Sequence, residues 1–195
     1  PDARDMLIVG YGGGVVVEAV PPSVERIEVI ELEPKVIAAN RATSHHRKRD
    51  PLLDRRVNVI VNDARGALRL TNKRYDAIVS QPSHPWTAGA SHLYTREFMQ
   101  IARDHLEPGG VFVQWMNVIY MDESLLRSLT ATLLAVFPEV RVYRPDPDTV
   151  VFLASDLPLN PERYLAETGL PLRNAPLHAG VAAEVDGGDL VVAAA

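Results

Sequence analysis

Four clusters of residues carry the chemistry in this sequence, and each lies just past a short apolar run. The first is Val9-Gly10-Tyr11-Gly12-Gly13-Gly14. Glycines let the backbone turn sharply and approach a ligand closely. A helix starting behind them adds free N–H groups, which in a dinucleotide site hold a pyrophosphate. The spacing departs from G-x-G-x-x-G because position 15 is Val15, and no Lys-Ser or Lys-Thr follows as in a P-loop. A tight turn without a ligand explains the same glycines. The second cluster is Glu31, about 20 residues past the glycine turn, where an acid can accept hydrogen bonds from ribose hydroxyls. Glu33, next to Pro34, better suits a carboxylate that complements a helix dipole. The third is Asp63, which can face the adenine end of a nucleotide or cap the helix that follows. Together these describe a nucleoside pocket without a diphosphate clamp, a better match to S-adenosylmethionine or a relative than to NAD.

The fourth cluster is the loop Ser80–Tyr94, SQPSHPWTAGASHLY, which contains no Lys, Arg, Asp or Glu. A loop of this length after a strand is more often functional than filler. In an open α/β sheet it stands at the carboxyl edge, where such folds bind ligands. His84 could act as a base near neutral pH. Trp86 suits either stacking on a ligand or anchoring the loop. His92 reads as a hydrogen-bonded loop residue, Gln114 as a partner for loop backbone groups near the pocket, and Tyr120 and Tyr143 as edge-packing residues. His45 and His46 have no carboxylates nearby at ligand spacing, so no metal is expected.

These clusters need elements to hold them. Met6–Val9, Ile27–Ile30, Val57–Val61, Tyr75–Val79 and Val111–Met116 read as strands. Helices are expected over Val15–Val20, from Pro34, over Gly66–Leu70 and over Thr95–Leu106, the last stopped by Pro108-Gly109-Gly110. Asp122 caps a helix Glu123–Phe137, whose apolar stripe runs through Leu125, Leu126, Leu129, Leu133, Leu134 and Phe137. His45–Asp50 reads as a solvated helix end and loop. Val140–Tyr143 and Thr149–Ala154 form an antiparallel pair. Beyond Ser155 the pattern fades to a short helix over 161–168 and at most one late strand, Leu190–Val192. The order implies a doubly wound, Rossmann-like α/β sheet, mainly parallel, with an antiparallel C-terminal hairpin. A nucleoside-binding domain over 1–155 and a C-terminal extension over 156–195 are expected.

The bulk numbers agree. In 195 residues, 47% apolar content suffices for a sizeable core. A net charge of −5 argues against a general nucleic-acid binder. The absence of cysteine excludes disulfides and cysteine-ligated zinc. No apolar run reaches the ~18 residues of a membrane span. The N-terminus lacks the features of a signal peptide, and the first strand begins so early that a preceding portion of a longer protein is expected. A cytoplasmic location is expected, as a free domain or as the soluble part of a membrane-attached protein.

The series Leu7-Ile8-Val9-Gly10-Tyr11-Gly12-Gly13-Gly14, Val29-Ile30-Glu31-Leu32-Glu33, Asn62-Asp63-Ala64 and Tyr75–Pro85 resembles the spermidine/spermine synthase (polyamine aminopropyltransferase) family. Leu93–Phe98 and Leu106–Gln114 extend the resemblance, which covers roughly Met6 to Ala154. It implies the fold of S-adenosylmethionine-dependent methyltransferases. It also implies binding of decarboxylated S-adenosylmethionine and aminopropyl transfer to a polyamine, leaving methylthioadenosine. By resemblance, Glu31 holds the ribose, Asp63 and Ala64 hold the adenine, and Gly10, Gly12, Gly13 and Gly14 lie along the sulfonium side chain. The family's Asp-x-x-Asp pair falls on Gln81 and His84, the candidate catalytic positions, and its glycine-loop Asp falls on Gly13. The Pro85-Trp86-Thr87-Ala88-Gly89 continuation resembles a synthase-like bacterial subgroup. The family's N-terminal β-hairpin domain, which supports dimerisation, has no counterpart in this sequence; a homodimer is a further expectation. Two alternatives stand beside aminopropyl transfer: a methyltransferase using S-adenosylmethionine itself, and a non-catalytic nucleoside-binding or assembly domain.

Overall fold

The structure is a computed structural model that describes residues 3–82, 85–117, 119, 121–161, 182–186 and 189–193. Seven strands form one sheet in the order β3-β2-β1-β4-β5-β7-β6. These are β1 (Asp5–Val9), β2 (Arg26–Glu31), β3 (Val57–Val61), β4 (Tyr75–Ser80), β5 (Leu106–Asn117), β6 (Glu139–Asp146) and β7 (Thr149–Ser155). The first five run parallel. β7 pairs antiparallel with β5, and β6 lies antiparallel on its far side. Val-, Ile- and Leu-rich runs such as Leu7-Ile8-Val9 are buried because a parallel sheet is covered on both faces.

Alternation along the strands sorts the core into two layers. Ile8 and Val29 face Val17 of α1 (Val15–Ala19) and Ile37 of α2 (Pro34–Thr43). Leu7, Ile78 and Phe112 face α3 (Ala64–Arg69), α4 (Arg96–Asp104) and α5 (Glu123–Leu134). Phe112 stacks on Phe137 at 5.7 Å and meets Phe98 edge-on at 6.3 Å. The chain winds outward from β1 through β2 to β3, then returns to β4 on the other side. The carboxyl ends of β1 and β4 therefore flank the switch point, the usual ligand crevice of such a sheet.

The doubly wound sheet and its antiparallel end match the sequence reading; several boundaries do not. The third helix starts at Ala64 because the Asp63 carboxylate caps it. Pro108-Gly109-Gly110 does not merely stop α4, which ends at Asp104, but belongs to β5. There the β4–β5 register shifts between Tyr75 and Ala77. Gly109 has φ 80°, and a Cβ on Gly110 would lie 2.9 Å from the Glu107 carbonyl oxygen and 3.1 Å from those of Tyr75 and Asp76. The glycines form a bulge that only they fit. A short 3₁₀ turn over Ala90–Tyr94 precedes α4, whose N-cap is Thr95. The late strand is one half of a hairpin, β8 (Ala182–Asp186) with β9 (Asp189–Ala193). The expected helix over 161–168 lies outside the described residues from 162 onward, as does Tyr120. Among the described residues no helix is long and apolar enough to cross a membrane.

Candidate functional site

A cavity of about 300 Å³ opens at the carboxyl edge of β1, β2, β3 and β4. Its wall includes Gly10, Gly12, Glu31, Asp63, Ala64 and Gln81, so the structure brings six of the sequence-predicted site residues together. Gly13 and Gly14 lie just behind this wall. His84 falls outside the described residues.

Glu31 is the last residue of β2 and only 8% exposed. A buried carboxylate is tolerable when N–H groups satisfy it. One oxygen accepts from the Tyr11 amide at 2.8 Å, the other from the Glu33 amide at 2.9 Å. The first bond ties β2 to the glycine turn. Each oxygen keeps a second lone pair, enough to receive two ribose hydroxyls. Glu33 takes the separate role its sequence position predicts: it is the N-cap of α2 and accepts from the Lys35 amide at 2.9 Å.

Asp63 does both of the things its position allows. Its Oδ2 accepts from the Gly66 amide at 2.9 Å, capping α3, while the exposed side chain lines the cavity. Its Oδ1 has no partner among the described residues. Ala64, 5% exposed, supplies an apolar wall beside it.

The glycine turn is pinned from several sides. The Gly10 amide donates to the Ile30 carbonyl at 2.8 Å, and the Gly14 amide to the Tyr11 carbonyl at 2.8 Å. Gly14 has φ 74°, and a Cβ there would sit 2.7 Å from the Tyr11 hydroxyl oxygen, so the buried Tyr11 ring fills the space under the turn. Burial pushes the Tyr11 phenol up, against the nearby Arg47 charge. Asn40 Nδ2 donates to the Gly12 carbonyl at 2.8 Å, and Arg47 Nη2 donates to the Gly13 carbonyl and, at 3.1 Å, to Asn40 Oδ1. The stretch read as solvated thus contains one residue, Arg47, that reaches back 34 positions to the turn.

Gln81 bridges the two halves of the crevice. Its amide donates to the Val9 carbonyl at 3.1 Å, and its side-chain Nε2 donates to the Gly10 carbonyl at 2.7 Å. Its Oε1 and the second Nε2 hydrogen remain for a ligand. Behind it, Ser80 and Gln114 are register partners on β4 and β5 and are fully buried. Gln114 Nε2 donates to the Trp115 carbonyl at 3.0 Å and the Ser80 carbonyl at 3.3 Å, the backbone-satisfying role its position suggests. Ser80 Oγ and Gln114 Oε1 have no hydrogen-bond partner among the described residues, a pair of orphaned polar atoms beneath the loop. Burial pushes the Tyr94 phenol well above its ordinary value, which keeps it protonated.

Thr87–Ala90 and Leu93 form the outer wall, facing Leu32. A Cβ on Gly89 would lie 3.8 Å from Leu32 Cδ2. Trp86 is 52% exposed and outside this wall, and His92 is exposed. Sequence reasoning missed Leu32, Asn62, Asn40 and Arg47. Leu32 follows Glu31 directly, and an apolar residue among Glu31, Glu33 and Pro34 was a usable signal. Nothing local announces the reach of Arg47.

A second cavity of about 330 Å³ lies at the opposite, amino edge of the sheet, lined by Asp5, Arg26, Glu28, Lys73 and Tyr75 among others. Both of its carboxylates are already paired, Asp5 with Arg26 and Glu28 with Lys73. Among the described residues no group of three His, Cys, Asp or Glu side chains is placed to hold a metal ion.

Comparisons with known proteins place the chain in a family. Polyamine aminopropyltransferase 2 of Pseudomonas aeruginosa is 29% identical over 147 residues, covering 73% of this chain and 42% of the relative. The polyamine aminopropyltransferase of Mycobacterium tuberculosis is 33% identical over 116 residues, covering 57% of this chain and 22% of the relative. The chain thus spans half or less of the length of these curated relatives. A spermidine synthase in complex with the transition-state analogue AdoDATO superposes with a TM-score of 0.75 at 25% identity, over 84% of this chain and 58% of that one. Human methyltransferase-like protein 13 in complex with SAH superposes with a TM-score of 0.66 at 23% identity, over 85% of this chain and 79% of that one, a likeness of fold. Residues 1–145 match the spermine/spermidine synthase domain, and the chain belongs to that family.

Proposed function

We propose that this chain binds an adenosyl-sulfonium nucleoside in the cavity at the carboxyl edge and supports transfer of an alkyl group from its sulfonium to an amine. Aminopropyl transfer to a polyamine is the form the family suggests. The observation that carries the proposal is the buried Glu31 carboxylate, held by two backbone amides at the cavity wall beside the glycine turn. Glu31 receives the ribose hydroxyls. Asp63 Oδ1 receives the adenine amino group, and Ala64, Leu93 and Leu32 enclose the ring. The spermidine synthase neighbour carries AdoDATO and the methyltransferase neighbour carries SAH, ligands of this chemical type on the same fold.

The reaction is a displacement. A neutral amine attacks the carbon next to sulfur, a C–N bond forms, the C–S bond breaks, and its electron pair neutralises the sulfonium. The amine then loses a proton. The protein's contribution is alignment and supply of the free amine. Gln81 Oε1 can accept from the amine N–H and orient it, but a neutral amide is no base; the proton falls to His84 in this proposal. Neither residue supplies the fixed negative charge that attracts a polycation, so the acceptor is bound weakly or is less charged than a polyamine.

Isothermal titration with methylthioadenosine tests the binding proposal. Saturable heat is expected from the folded chain. Glu31→Gln, which replaces one acceptor oxygen by a donor, should weaken it by about 10- to 100-fold, the loss of charge-assisted bonds worth roughly 1.5–3 kcal/mol. Absence of heat in a folded sample contradicts it.

A further inference from the structure

The stretch from α2 to the start of β3 carries a charge unlike that of the rest of the chain. Residues 35–56 hold seven Lys or Arg against two Asp, a net of +5, while the other residues hold 13 against 23, a net of −10. Charge asymmetry of this size points to contact with a polyanionic surface. The two acids are spent inside the stretch. Asp50 Oδ1 accepts from the Leu52 amide at 2.9 Å and caps the 3₁₀ turn Pro51–Leu53. Asp54 pairs with Arg56 at 2.8 Å and with Arg49 at 3.0 Å. Arg41, Lys48 and Arg55 are left exposed, with no partner among the described residues. Arg41 stands in the last turn of α2, where it also complements the helix dipole. Lys48 and Arg55 have no such second use.

The stretch is folded back on itself rather than strung out. Arg47 Nη2 lies 3.1 Å from Asn40 Oδ1, and the Arg49–Asp54 pair closes the following loop. Arg56 Nη1 fastens its far end, donating to the Pro21 and Val24 carbonyls at 2.9 and 2.8 Å. Between Lys48 and Arg55 stands Leu53, 80% exposed. Cations alone suit any polyanion. Cations around a protruding aliphatic side chain suit a bilayer, where the charges meet headgroups and the side chain enters the acyl boundary. A nucleic-acid backbone gives such a side chain no partner. We propose that residues 41–55 dock on the surface of a lipid bilayer rich in anionic headgroups, with Arg41, Lys48 and Arg55 on the headgroups and Leu53 inserted among them. The acidic remainder of the chain does not forbid this, because charges more than about 8 Å away are largely screened at physiological ionic strength. Arg47, within the stretch, bonds the Gly13 carbonyl, so the docked segment is anchored to the glycine turn. This goes beyond the nucleoside site and does not depend on it.

Co-sedimentation of the whole chain with vesicles tests it. Vesicles of phosphatidylcholine with about a third phosphatidylserine should pellet the chain at low ionic strength, and vesicles of phosphatidylcholine alone should not. Salt near about 1 M, where the screening length falls to about 3 Å, should release it. Arg41→Gln, Lys48→Gln and Arg55→Gln should each lower the partition coefficient about fivefold, the equivalent of roughly 1 kcal/mol per charge at the surface. Leu53→Ser keeps every charge, so it should lower the coefficient about tenfold while leaving its dependence on salt unchanged. All four side chains are exposed, and far-ultraviolet circular dichroism checks that each variant is folded. If the wild-type chain shows no preference for the anionic vesicles, the proposal is overturned whatever the variants do. Full partition retained by the triple Gln variant would overturn the placement of the surface. Full partition retained by Leu53→Ser, or tighter binding to a single-stranded oligonucleotide than to the vesicles at the same salt, would overturn the lipid as the partner.

Discussion

Glu28 and Tyr75 show how a single residue pair ties the amino edge of the sheet together. Tyr75 donates its hydroxyl to Glu28 Oε2 at 2.6 Å, and Lys73 approaches the other oxygen. Burial alone would push the Glu28 carboxyl up, but bonds from Lys73 and Tyr75 and the Lys73 charge outweigh it and leave it below its ordinary 4.5. A folded value below the unfolded one means the stabilisation is present above pH 4.5 and lost as the pH falls through the folded value. Tyr75→Phe leaves part of that carboxylate unsatisfied. It should cost about 1.5–3 kcal/mol at neutral pH and move the acid-unfolding midpoint upward, measured by denaturant titration and by circular dichroism against pH. At the site, Gln81 is committed to Gly10, so Gln81→Asp replaces a donor by a charge facing a carbonyl at 2.7 Å. That variant should lose about 1 kcal/mol of stability. The double variant Gln81→Asp/His84→Asp should nonetheless transfer aminopropyl groups to spermidine or putrescine faster than the parent in a chromatographic product assay. No gain in a folded variant would contradict the reading that the missing carboxylates at positions 81 and 84 limit the transfer.

At the scale of elements, the glycine turn separates positions that need glycine from those that merely have it. Gly14→Ala meets both the left-handed region and the Tyr11 side chain, its hydroxyl oxygen at 2.7 Å, while Gly13→Ala meets neither. Backbone strain of about 1–2 kcal/mol and overpacking of about 1–3 kcal/mol should lower the unfolding midpoint of the first variant. The second should stay within about 0.5 kcal/mol of the parent. The reverse order would mean that the turn is folded differently. This contrast was not legible in the sequence, where the three consecutive glycines look alike. Element type was legible wherever period and burial agreed, as in Leu7-Ile8-Val9 or the α5 stripe through Leu129 and Leu133. Boundaries failed where a local signal had two uses. Pro108-Gly109-Gly110 reads as a helix stop, but the close carbonyls of Tyr75, Asp76 and Glu107 make it a strand bulge. Asp63 reads as an N-cap or a ligand acid, and one carboxylate oxygen serves the cap while the side chain faces the cavity.

For the whole molecule, the sheet order puts the switch point between β1 and β4, and the polar residues of the site collect around it. The shared edge of Glu31 and Asp63 was legible because one ends β2 and the other lies two residues past β3, where the α/β topology brings strand ends together. The clamp on the turn was not, because Asn40 and Arg47 reach it across 28 and 34 residues. The curated relatives are longer, and the chain spans 42% of the Pseudomonas enzyme. What the rest of such a relative contributes is therefore a separate question from the proposed nucleoside site, whose lining residues lie at the edge of this sheet. The most direct test is a crystal structure of the chain with methylthioadenosine. The site proposed here predicts ribose hydroxyls within hydrogen-bonding distance of both Glu31 oxygens and the adenine between Asp63, Ala64 and Leu93. A ligand absent from the cavity under saturating conditions, or bound at the amino-edge cavity by Glu28 and Lys73, would contradict it.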